Sequence, residues 1–147
     1  MLKHFNAPIV FKADGQPGEF SAVFSTLSVI DKDGDVTVPG AFKHGQQVRI
    51  AQWGHNWGAL PVGKGTIYAD NEKAWVDGQF FTETPHGMAT YQTVKALDGL
   101  QEWSYGFTVE QADYGEFNGQ RVQYLRALDV TEVSPVMVGA GVNTHTT

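Results

Sequence analysis

The chain has 147 residues, a formal net charge of −6 and a hydrophobic fraction of 41%, values expected of one globular domain with a core of its own and not of a disordered chain. It has no cysteine, which excludes disulfides, thiolate metal sites and a cysteine nucleophile, and its negative net charge and ten scattered Lys and Arg argue against a nucleic-acid-binding surface. The opening MLKHFNAPIVFKADG lacks the apolar run of a signal peptide and no later stretch reaches membrane-spanning length, so neither nucleic acid nor membrane is expected as a partner.

In chain order, EFSAVFSTLSVI puts Phe20, Ala22 and Phe24 on one face, the alternation of a half-buried strand. The next stretch, DKDGDVTVPGAF, sets Asp31, Asp33 and Asp35 in alternation, as at the head of an EF-hand. Such a loop needs glycine at its sixth position and a bidentate glutamate at its twelfth; counted from Asp31, Val36 and Phe42 stand there. A polar turn built on Asp and Gly is the simpler expectation, with no metal. PGAFKHGQQV is expected to open a short helix at Pro39. VGKGTIYA and KAWVDGQFF read as strands joined by a turn at Asp70–Glu72.

The period then changes. Met88, Tyr91, Val94 and Leu97 recur at helical spacing, with Thr84 as N-cap, Pro85 at the first turn and Gly99 as the stop. EWSYGFTVEQ alternates strictly, Trp103, Tyr105, Phe107 and Val109 against Ser104, Gly106 and Thr108. An Asn118-Gly119 turn leads into one or two further strands. Residues 143–147 are expected to form a flexible tail. Six to eight strands with one or two helices, in no regular strand–helix alternation, predict a mainly β (α+β) fold.

Three residues could carry chemistry. Ser104 shares its strand face with Gly106, so no side chain is expected to crowd its hydroxyl, although an ordinary polar residue on a wet face would look the same. His55, in QWGHNWGALPVGKG, lies between Trp53 and Trp57, which could exclude water and hold a base, or equally serve the core around a turn histidine. Glu132, in DVTEVSPVMV, is an acid inside an apolar run, where a charge without a partner is costly, unless it lies on an exposed edge. No histidine pair has zinc-site spacing.

Taken in order, GEFSAVFSTLSVIDKDGDVTVPGAF, WGHNWGALPVGKG, LQEWSYGF and LDVTEVSPVMVGAGVNT resemble the prohead maturation proteases of tailed bacteriophages, caudoviral serine peptidases distantly related to herpesvirus assemblin. The resemblance runs from Gly18 to Asn143. It implies an assemblin-like closed or partly open β-barrel with one or two flanking helices, formed by a single domain over 1–147, and an architectural role for the acidic turn. It also implies a serine endopeptidase with Ser104 as nucleophile, His55 as base and Glu132 as the third member, with His86 and His145 as rivals for that place. By analogy with assemblins, backbone amides near Gly139 and Ala140 would form the oxyanion hole; Trp103 and Gly106 are the residues expected to contact substrate. No cofactor is implied. The implied substrates are the phage scaffold, the major capsid protein and the protease itself, cut inside the prohead in the host cytoplasm. A homodimer or higher oligomer is expected, with the Thr84–Leu97 helix as its interface. Two other readings compete. One is a non-catalytic head-assembly or scaffold protein keeping the fold; the other is a binding module using Trp53, Trp57 and Trp103 as a platform.

Overall fold

The computed structural model describes residues 2–6, 9–11 and 16–138. Nine strands and one α-helix follow in the order β1 (Leu2–Asn6), β2 (Ile9–Phe11), β3 (Glu19–Thr26), β4 (Asp35–Thr37), β5 (Gln47–Ile50), β6 (Gly63–Ala69), β7 (Lys73–Phe80), α1 (Pro85–Leu97), β8 (Glu102–Phe117) and β9 (Gln120–Val136). The sheet runs β1-β8-β9-β5-β6-β7-β3-β2, and β4 adds to β9 in parallel. The short N-terminal strands pair with opposite ends of this path, β1 with β8 and β2 with β3, giving a nearly closed barrel.

Strand formation follows the alternation of the sequence. Phe20, Ala22 and Phe24 turn inward and are almost fully buried, while Glu19, Ser21 and Val23 are half-buried. The core is aromatic at its centre. Phe20 stacks on Trp103 at 5.1 Å, Phe24 lies 5.1 Å from Tyr105, and Tyr105 stacks on Phe107 at 4.9 Å, separations typical of favourable ring pairs. The long β8–β9 hairpin closes through Asn118 and Gly119, both at positive φ (49° and 80°), the backbone a two-residue hairpin turn requires.

The acidic stretch is a turn organised by Asp31. Its Oδ1 accepts the backbone N–H groups of Asp33 and Asp35 at 2.9 and 3.1 Å, and Gly34 takes φ 80°. The three carboxylates lie within 4.8 Å of one another, but two backbone donors already occupy an Asp31 oxygen. The turn sets β4 against β9, burying Asp35, Val36 and Thr37. Ser25 and Thr37 then hydrogen-bond the Tyr105 hydroxyl, whose pKa burial drives above the ordinary tyrosine value. The turn therefore anchors the residue next to Ser104.

Two expectations of local structure need correction. Residues 39–46 form consecutive turns and not a helix. Gly40 and Gly45 sit at positive φ (89° and 86°), which interrupts helical backbone however well Pro39 suits a helix start. The 85–97 helix forms, with Thr84 Oγ1 accepting from Gly87 N at 3.0 Å. Its end is made by Asp98 at φ 44° and a 3₁₀ turn over Asp98–Leu100, with Gly99 inside that turn. Among the described residues, no helix is long and apolar enough to cross a membrane.

Candidate active site

Three distant segments converge on the outer face of the barrel. Ser104 comes from β8 and Glu132 from β9, whose antiparallel register places Gly106 opposite Glu132 and Ser104 opposite Ser134. His55 comes from the loop between β5 and β6. That loop is tied to β9 by bonds from Ala51 N to Val133 O (2.9 Å) and from Gly54 N to Pro135 O (3.0 Å). His55 itself takes φ 59°, a left-handed conformation uncommon outside glycine, which turns its side chain back over the sheet.

The imidazole links the other two groups. Nε2 lies 2.5 Å from Ser104 Oγ, and Nδ1 contacts Glu132 Oε1. The side chains of His55 and Glu132 are 7% and 4% exposed, and Ser104 is fully buried. With Nδ1 protonated and donating to the carboxylate, Nε2 is left to accept the serine proton, so the glutamate selects the tautomer a base requires. Low exposure strengthens each of these contacts, because little water competes for them.

Ser134 was not anticipated. Its Oγ stands 3.0 Å from His55 Nδ1, a second partner that narrows the freedom of the ring. Its signal was available, because Ser134 follows Glu132 by two residues and so shares its strand face.

The surroundings differ from expectation in two respects. The space over Gly106 is filled. A Cβ there would come within 2.6 Å of Trp57 Cζ2 and 2.9 Å of Glu132 Oε1, so the glycine admits the indole and the carboxylate instead of leaving Ser104 open. Trp103 is 0% exposed and stacked in the core, which removes its side chain from contact with substrate and, with it, the three-tryptophan platform. The strand carrying Ser104 has no free edge at that point, since position 4 of β1 pairs on one side and Ser134 on the other. An extended peptide therefore cannot add to it there without displacing β1. His86 lies exposed on α1, remote in the chain from the matching block, while His145, Gly139, Ala140 and the expected tail at 143–147 lie outside the described residues.

A hydroxyl, an imidazole and a carboxylate bonded in line, on a mainly β scaffold, form the arrangement found in serine hydrolases of unrelated folds. A model of the caudovirus prohead serine protease family matches residues 14–147. The chain is also 35% identical, over 111 residues, to the prohead protease of Enterobacteria phage HK97, covering 72% of this chain and 49% of that protein. The chain belongs to the caudovirus prohead serine protease family. It spans about half the length of the HK97 relative. No solved structure matches it significantly.

Proposed function

We propose that the chain is a serine endopeptidase of capsid maturation, with Ser104 as nucleophile, His55 as general base and Glu132 as the group that orients the imidazole. The observation that carries this reading is the continuous Ser104–His55–Glu132 contact, with Ser104 Oγ 2.5 Å from Nε2. His55 Nε2 takes the Ser104 proton as Oγ attacks the scissile carbonyl carbon. Glu132 holds Nδ1–H and stabilises the imidazolium. The imidazolium returns the proton to the leaving amine as the acyl-enzyme forms, and a water deprotonated by the same ring then hydrolyses the ester. Backbone donors near Gly139 and Ala140 are the proposed oxyanion hole, where loss of one donor costs about 10²–10³ in rate.

Trp57, which is 58% exposed yet covers Gly106, is the part of the cover able to move aside for a peptide. The proposed substrates are phage head proteins, namely the scaffold, the major capsid protein or its scaffolding segment, and the protease itself. Cleavage would take place inside the prohead in the host cytoplasm, with a homodimer through α1 as the proposed assembly.

The test is co-expression with the phage's own major capsid and scaffold proteins, as wild type and as Ser104→Ala, read by intact mass spectrometry. Products present with wild type and absent with Ser104→Ala are expected. Heads that assemble from uncut proteins in both cases would favour the non-catalytic head-assembly role, and equal cutting by both would remove Ser104 as nucleophile.

A further inference from the structure

A transverse row of side chains leads away from Gly106 and Glu132, beside Ser104, across the outer face of the sheet. The parallel register of β5 with β9 sets Arg49 beside Glu132, and the antiparallel register of β5 with β6 sets Arg49 opposite Lys64. Gln79 and Glu19 continue the row on β7 and β3. Arg49 and Lys64 are both exposed. Among the described residues the ion pairs join Lys43 to Glu110 and Asp129, Arg126 to Asp113, and His55 to Glu132, and none includes Arg49 or Lys64.

Like charges directly opposite on neighbouring strands repel. Here two of only ten Lys and Arg, in a chain of net charge −6, are placed face to face with no ion-pair partner among the described residues. Two concavities meet at this point. One, of about 320 Å³, lies between Arg49, Trp57, Pro61 and Glu132. The other, of about 570 Å³, runs over Arg49, Lys64, Thr66 and Asp77. Arg49 lines both, so it stands between the cover of the Ser104 site and an open groove crossing β5, β6 and β7. The charge of Glu132 is already engaged by His55. Glu19 and Asp77 line the far part of the groove without pairing with either cation.

We propose that Arg49 and Lys64 form a cationic subsite that binds the carboxylate side chains of an acidic stretch of polypeptide substrate. This deepens the protease reading above and rests on it. β5 and β6 lie two and three strands from β8, which places the cations roughly 10–15 Å from Ser104, or about three to four residues of extended peptide from the cut. The subsite adds selectivity for where the chain is cut and takes no part in the chemical step. Each exposed ion pair is expected to contribute about fivefold in selectivity, the equivalent of about 1 kcal/mol.

The test uses a proteome-derived peptide library digested by the full chain, with cut sites read by mass spectrometry, and labelling of Ser104 by a fluorophosphonate as a separate readout. Wild type should enrich Glu and Asp about three to four residues from the cut. The enrichment should vanish in R49Q/K64Q and turn toward Lys in R49E/K64E, with Ser104 labelling unchanged in both. An unchanged cut-site profile in labelled variants would overturn the subsite and leave the protease standing. A wild type that neither labels nor cuts would overturn both.

Discussion

At the scale of single residues, Glu132 shows how environment assigns a role. An isolated carboxylate as buried as this one would be expensive to keep charged, and its contact with His55 Nδ1 offsets that cost. Glu132→Gln keeps the size of the side chain but removes the charge that stabilises an imidazolium and can present an N–H to Nδ1, favouring the wrong tautomer. The expected result is a fall of about 10⁴ in peptidase rate, with the far-ultraviolet circular dichroism spectrum of wild type retained; a variant within tenfold of wild type would remove Glu132 from the mechanism. Sequence pattern could mark Ser104, His55 and Glu132 only as separate weak candidates, and it was their order within four family blocks that joined them. Trp103 lies on the aromatic face of β8 opposite Ser104, and because that face is wholly committed to the core its side chain has no part in the site.

At the scale of elements, what was legible depended on whether the signal was local. The 85–97 helix carried a cap, an N-terminal proline and a helical period within one short stretch, and it formed. Thr84→Ala removes the acceptor for Gly87 N and should cost about 1 kcal/mol. Seen in thermal denaturation this is a lowering of roughly 2–4 °C, with the peptidase rate unchanged because α1 packs on β7 and not on the site. An unchanged melting temperature would show that the cap is dispensable. In the 39–46 segment Pro39 carries a local helix-start signal, but Gly40 and Gly45, at positive φ, prevent the helix. The family's acidic turn is expected to enter a strand, and β4 is that strand, but its partner was not legible, since its three residues are held by parallel pairing with positions 123–125, far away in the chain.

At the scale of the whole molecule, burial of Tyr105 makes stability sensitive to alkali. Burial away from water makes its hydroxyl keep its proton to higher pH than in the unfolded chain, against the opposing pull of the Ser25 and Thr37 hydrogen bonds. A folded pKa above the unfolded one gives stabilisation that is complete below about pH 10 and declines as pH rises toward the folded value. Urea unfolding at several alkaline pH values should therefore show a steeper loss of stability for wild type than for Tyr105→Phe, even though the variant starts lower at neutral pH through its unpartnered Ser25 and Thr37 hydroxyls. Parallel slopes would mean that Tyr105 ionises without opening the core.

By itself the sequence determined the alternating strands, the capped helix, the Asn118-Gly119 hairpin and the absence of thiol chemistry. Each of these depends on periodicity or residue type within a few positions, where the backbone's own preferences decide. Only the tertiary structure decided that His55 reaches both Ser104 and Glu132, that Ser134 joins them, that Trp57 rather than empty space covers Gly106, and that Arg49 faces Lys64 beside the site. Those contacts depend on sheet register between segments tens of residues apart. A shift of one residue in that register would send the same side chains to the opposite face, and no local pattern records it.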